Sequence, residues 1–369
     1  MPLSKIKTNS VADEVFESGS NFIINGAMQV AVRGTSAVAA AANYPSIDRF
    51  KAWESTDGAY TVEQSTTAPA GFTTSLKAQV TTADTSLAAN QYAQLSQQIE
   101  AQNLQSLVYG TNDAKTVTLS FYVRSNKTGS YSITIYKDDA TSYLFSKSYT
   151  IDSADTWERK SITITPDSNI KASGGAIANN NGIGFYVFWN LAGGTDFDDA
   201  TDNTWSANTS HFHTSSQVNW MDSTSNNFYL TGVQLEIGSL ETPFQHEDYS
   251  TTLLKCQRYF EIIKVSGYFV TGNSYSTAQM NCAPMFYRTT KRATPTITFP
   301  TIGNTSGTIG ATNATANYVT QGSTLRAYAT DAWFSIYNNS SDGFSGFTDD
   351  GVCQIYSYGY NDIKVESEL

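Results

Sequence analysis

Two groups of aromatic side chains have the spacing expected of a sugar-binding surface. A pyranose has one apolar face and a rim of hydroxyls, so its recognition needs exposed ring faces beside hydrogen-bonding groups. Tyr356, Tyr358 and Tyr360 recur at a spacing of two, which on a strand would align three rings on one face. Trp205 and Trp220 flank a long irregular segment with histidines between them, the kind of segment a sandwich projects at its rim. All five are glycan-binding candidates. The competing readings are core packing for the tryptophans and subunit contact for the tyrosines.

Other chemistry is weaker. Asp196, Asp198, Asp199 and Asp202 concentrate four carboxylates in one run that could wrap calcium, but the glycine and closing glutamate of an EF-hand loop are missing, which favours a solvated acidic loop. His211 and His213 would share one face of a strand, a geometry able to hold a transition metal. No Cys or carboxylate joins them in that pattern, so a polar loop or strand is the plainer reading. There is no Gly-x-Ser-x-Gly elbow, no His-Glu-x-x-His helix and no phosphate-cradling glycine loop. Glycosidic hydrolysis needs only two suitably spaced carboxylates, so a motif search alone leaves a depolymerase open. The repeats of a long β-helix are absent. We therefore expect no catalytic residues and no resident metal or cofactor.

The elements that must position these residues are strands. In Thr116–Arg124, Val117, Leu119, Phe121 and Val123 point one way and Thr118, Ser120 and Tyr122 the other. The same alternation recurs at Tyr131-Ile133-Ile135, Ile162-Ile164 and Ile183-Phe185-Val187-Trp189. Turn clusters such as 125–129 and 179–182 separate them. Ala88–Leu107 has roughly helical spacing of Tyr92, Leu95, Ile99 and Leu104, but its Gln and Ser content and Asn103 favour a strand followed by a short turn. Residues 1–20 are polar and aperiodic, an extended arm suited to attachment or a frayed terminus. A first β-domain is expected over 21–247, a connector over 248–261 and a second β-rich domain over 262–369. The second has strand candidates at Gly267–Thr271, Thr296–Phe299, Leu325–Ala329, Trp333–Tyr337 and Val352–Tyr358, with Ile302–Asn317 as a Gly- and Asn-rich separator.

Composition agrees. Twenty-two Tyr, nineteen Phe and six Trp with 15% charged residues suit pleated, half-buried surfaces. The formal charge, 22 − 33 = −11, repels phosphate backbones and argues against nucleic acid. No signal-peptide core follows Met1, and the longest run of small apolar residues, Ala37–Ala42, is too short for a bilayer. Synthesis as a soluble cytoplasmic product without membrane insertion is the expectation. Cys256, Cys282 and Cys353 are too few and too scattered for a disulfide framework or a zinc site, and read as buried thiols.

Several stretches carry a family resemblance. Asn21-Phe22-Ile23-Ile24-Asn25-Gly26 resembles the opening strand of jelly-roll carbohydrate-binding modules, and Phe228–Leu235 their closing strand. Gln97-Gln98-Ile99-Glu100 through Leu107, then Gly110-Thr111 and Ala114–Ser125, resemble a domain widespread in phage and prophage tail fibre proteins. Ala154–Trp157, Val233–Gly238 with Thr242-Pro243-Phe244, and Cys256–Tyr259 agree with it. The run from Tyr287-Arg288 to Pro295 and the ending Val365–Leu369 resemble terminal knob domains.

The resemblance implies an all-β fold, a jelly-roll sandwich followed by a smaller, knob-like C-terminal β-sandwich. It also implies a non-enzymatic virion protein, a tail fibre or receptor-binding appendage assembled in the host cytoplasm. Such an appendage is usually homotrimeric, and here it would join other virion proteins through residues 1–20 and engage a host-surface glycan. Capsid decoration and glycan depolymerisation are the alternatives. Many such modules hold a structural calcium after the first strand and in the closing strand. Here Gln29 and Thr231-Gly232 stand there without carboxylates.

Overall fold

Val117, Leu119, Phe121 and Val123 are all 0% exposed, as are Tyr131, Ile133 and Ile135 and the trio Phe185, Val187 and Trp189. Strand alternation thus places one apolar row of each strand in a shared interior. The computed structural model describes residues 21–207, 209–313 and 319–369. The expected attachment arm, residues 1–20, lies outside them. The chain divides into two compact units, one running to Thr252 and including Leu369, the other Leu253–Glu368.

The first unit is a jelly roll of two six-stranded sheets. One sheet runs in the spatial order β1 (Val38–Ala39), β3 (Ala59–Ser65), β4 (Ser75–Thr82), β12 (Asn227–Ile237), β6 (Val117–Ser125) and β9 (Glu158–Ile164). The other runs β11 (Thr204–Ser206), β8 (Tyr143–Ile151), β7 (Gly129–Lys137), β10 (Ile183–Gly193), β5 (Tyr92–Glu100) and β2 (Phe50–Ser55). Neighbouring strands pair antiparallel throughout. Between the sheets Trp189 meets Phe121 edge-on at 5.9 Å and Phe50 at 6.2 Å. Each such buried ring contributes about 1.5–3 kcal/mol of transfer free energy. Ala88–Leu107 becomes β5 followed by a 3-10 turn over Ala101–Leu107, as its glutamine-rich spacing suggested.

The expected opening strand is not one. Residues 21–30 form turns, with Asn25 and Met28 at positive φ. Asn21 is the reason: its side-chain oxygen accepts from the Ile23 and Leu235 amides, both at 3.0 Å, and its amide donates to the Val233 carbonyl at 3.0 Å. An Asn side chain that mimics backbone favours a turn over a ladder. Gly26 permits the close approach, since a Cβ there would lie 2.1 Å from the Val233 carbonyl oxygen.

The second unit is a single curled sheet of eight antiparallel strands: β13 (Phe260–Ser276), β14 (Gln279–Cys282), β15 (Met285–Phe286), β16 (Thr296–Thr298), β17 (Ile309–Asn313), β18 (Arg326–Ala329), β19 (Trp333–Tyr337) and β20 (Val352–Glu366). It closes over its own core, which includes Met280, Phe334, Ile336, Cys353, Ile355, Ile363 and Val365. β17 lies inside the stretch expected to be a separator. Gln321 stabilises it, accepting from the Ala311 amide and donating to the Ala311 carbonyl, both at 2.8 Å. The connector expected over 248–261 holds a helix, Tyr249–Gln257, and the first residues of β13. All three cysteines are buried and none forms a disulfide. No helix among the described residues is long and apolar enough to cross a membrane.

Candidate functional site

Because Phe185, Val187 and Trp189 face inward, β10 must present Tyr186, Phe188 and Asn190 on the opposite face of its sheet. Cross-strand register then assembles three rows. Trp53, Gln94, Asn190 and Ser132 lie abreast; Lys51, Ser96, Phe188 and Thr134 form the next; Gln98, Tyr186 and Tyr136 the third. Aromatic rings concentrate in the middle of this face. Tyr186 and Phe188 stack with 5.6 Å between centroids and 4° between planes, Tyr136 meets Tyr186 at 5.5 Å, and Trp53 meets Phe188 at 6.1 Å.

The segment after β10 folds back over this face and adds Phe197 and Phe212. Phe212 stands edge-on to Phe188 at 5.3 Å, and Phe197 edge-on to Tyr92 at 5.5 Å. Together these rings and Gln94 enclose an open cleft of about 290 Å³. Its polar groups are few and held in place. Gln94 donates to the Asn190 side-chain oxygen at 2.8 Å, and the Trp53 indole N–H donates to Ser96 Oγ at 2.7 Å. Lys51 Nζ sits 3.7 Å above the Trp53 ring, a cation–π contact that fixes the indole. Burial, then the charges of Asp138 and Tyr136, pushes the Tyr186 phenol up to about 12, so it remains a protonated donor.

A polar stripe positions the roof. The Phe212 carbonyl accepts from Ser146 Oγ at 2.8 Å, from Asn190 Nδ2 at 3.2 Å and from the Thr134 hydroxyl. His213, the next residue, is 2% exposed. Its Nδ1 meets the Thr214 carbonyl at 3.1 Å while Nε2 has no hydrogen-bond partner. Burial holds this imidazole below the usual histidine range. A Cβ at Gly193 would lie 2.1 Å from Nε2, so only glycine fits beneath it.

The residues singled out in the sequence fall elsewhere. Trp205 and Trp220 are 4% and 0% exposed, which corrects the expectation that they offer faces to a ligand. Trp205 packs on Phe145 and Tyr109 and donates to the Thr165 carbonyl at 3.1 Å, and Trp220 stands edge-on to Tyr60. Asp196, Asp198, Asp199 and Asp202 do not converge. Asp202 instead accepts from Lys147 Nζ at 2.5 Å and the Ser148 amide at 2.7 Å. Partial burial raises its pKa, but these bonds prevail and hold it below the ordinary carboxylate range. His211 and His213 likewise build no metal centre, since no group of three or more His, Cys, Asp or Glu side chains suited to a metal forms among the described residues.

The tyrosine stripe is interrupted. Tyr356 and Tyr358 meet at 4.7 Å, with Tyr268 of β13 at 4.8 Å from Tyr356. Tyr358, Gly359 and Tyr360 fall in a bulge between the pairs Val265–Asn361 and Gly267–Ser357. Gly359 takes φ 95° there, and Tyr360, within the same bulge, is 90% exposed. Three rings aligned by strict alternation is therefore the wrong picture for this strand. The aromatic cleft of the first unit was missed. Its signal was the outward row of β10, where Tyr186 and Phe188 stand at positions that alternation would make polar.

No protein-family model matches the sequence. No curated protein matches it either. Among solved structures, the chain is similar to a Bacteroides thetaiotaomicron protein assigned to sugar binding, with 13% identity and a TM-score of 0.32 over 59% of this chain and 100% of the other. It is similar to the enzymatically active domain of Bacteriophage CBA120 tailspike protein 4, with 10% identity and a TM-score of 0.30 over 59% of this chain and 21% of that one. A family 11 carbohydrate-binding module of Clostridium thermocellum gives 10% identity and a TM-score of 0.29 over 53% and 91%. Likeness at this level leaves the ligand to be argued from the side chains.

Proposed function

We propose that the first unit is a non-catalytic glycan-binding module and that its site is the aromatic cleft on the face of the second sheet. The observation that carries this is the stacked pair Tyr186–Phe188 walled by Trp53 and Phe212, an apolar platform with an amide, Gln94, at its edge. Such a surface suits the apolar face of a sugar ring and the hydroxyls beside it. None of the residues lining the cleft is an Asp or Glu, which supports binding without hydrolysis.

The wider reading is a virion appendage, homotrimeric and attached to other virion proteins, that holds the particle on a host-surface glycan. It is supported by the tail-fibre resemblance of the sequence. Repetition of weak sites would then supply the avidity. The test is titration of the full chain with a panel of neutral hexose oligosaccharides, followed by tryptophan fluorescence and by a reducing-end assay. Saturable binding that Trp53→Ala weakens at least tenfold, without new reducing ends, is expected. Binding unaffected by Trp53→Ala refutes the cleft, and sustained release of reducing ends refutes the non-catalytic reading.

A further inference from the structure

The aromatic cleft is far poorer in polar groups than a hexose is. Seven of the eight side chains that line it are aromatic, and the eighth is Gln94. A hexose carries a hydroxyl on nearly every carbon, and each one buried without a partner costs binding free energy. The shortage is greatest under the roof. Phe212 stands edge-on to Phe188 at 5.3 Å and to Phe197 at 6.1 Å, so three phenylalanine rings meet in one corner. The backbone there is occupied as well. The Phe212 carbonyl is taken by Ser146, Asn190 and Thr134, and the Phe197 carbonyl accepts from the His213 amide at 3.0 Å.

Hydrogen-bonding groups lie elsewhere in the cleft. Gln94 donates its Nε2 to Asn190 at 2.8 Å, which leaves its Oε1 as the amide atom that faces a ligand. The phenols of Tyr136 and Tyr186 stand on the next row of the sheet, beyond Phe188. A sugar that lays a hydroxylated edge along these groups turns its opposite end to the phenylalanine corner. There a methyl group gains apolar contact, whereas a hydroxymethyl group gives up water and finds no partner. No Asp, Glu, Lys, Arg or His lines the cleft, so the ligand it suits is uncharged.

We infer that the cleft selects a neutral 6-deoxyhexose, whose C6 methyl enters the corner formed by Phe188, Phe197 and Phe212, over the parent hexose with its C6 hydroxyl. This rests on the reading of the cleft as a sugar site and adds its specificity. The test is a titration of the ¹⁵N-labelled full chain, read at the Trp53 indole N–H, with methyl glycosides matched except at C6. The pairs are 6-deoxy-D-glucose with D-glucose, D-fucose with D-galactose, and L-rhamnose with L-mannose; N-acetylglucosamine is a second methyl-bearing probe. In at least one pair the deoxy sugar should bind about tenfold tighter than its parent, and tighter than N-acetylglucosamine. Phe197 belongs to neither apolar core, so Phe197→Ser should keep the fold, which its melting temperature reports. That variant puts a hydroxyl in the corner and should bring the ratio within the pair toward one, whereas a merely structural role would weaken both members alike. Binding of every parent as tight as its deoxy partner, preference for N-acetylglucosamine, or an unchanged ratio in Phe197→Ser each overturns the specificity and leaves the sugar site standing. Binding of no member of any pair overturns it too, and the titration with hexose oligosaccharides then decides whether the site itself falls.

Discussion

Gly193 shows how a single missing atom group sets the site. Its bare backbone accepts the His213 ring, and His213 follows Phe212 directly in the roof of the cleft. Gly193→Ala should therefore destabilise the first unit by about 1–3 kcal/mol, as overpacking does. It should also weaken sugar binding, and His213→Ala in the same chain should recover part of the loss in thermal denaturation. The same histidine gives a pH dependence. Burial lowers its folded pKa from an ordinary value of 6.5, so the unfolded chain binds the proton more readily. Its contribution is fully present above pH 6.5 and is lost as pH falls through the folded pKa. Melting temperature should fall as pH drops from 6.5 toward about 5, above most carboxylate titrations, and His213→Asn should flatten that slope.

The strands were legible where one face is apolar and the other polar. Val117–Ser125 and Trp333–Tyr337 emerge close to where alternation put them. What failed was anything decided by a side chain acting as backbone: Asn21 turned an expected strand into a turn, and Gln321 supports β17 in a stretch whose glycines suggested a loop. The cleft was hidden for a related reason. Its outward rings look like core until a partner strand fixes the register, and its roof comes from the irregular segment that follows β10. Thr134 tests this arrangement at the level of the element. Its hydroxyl bonds both the Phe212 carbonyl and Asn190 Nδ2, the latter at 2.9 Å. Thr134→Val should cost about 1–3 kcal/mol of stability by leaving partners unsatisfied. It should also weaken oligosaccharide binding although Thr134 does not line the cleft, a result calorimetry and titration can separate.

At the scale of the chain, two separate apolar clusters predict two calorimetric transitions. Five of the six tryptophans belong to the first unit and only Trp333 to the second. Intrinsic fluorescence should accordingly follow one transition almost alone, and a single merged transition in both signals would contradict the division. The long pair β13–β20 carries a mechanical consequence. Phe260, near the start of β13, is bonded opposite Glu366, at the end of β20, so the strands that enter and leave the unit do so side by side. Tension applied between them would peel the ladder open rung by rung instead of shearing many rungs together. In a force-extension measurement this unit should open at low force, and a high, shear-like rupture force would contradict that geometry.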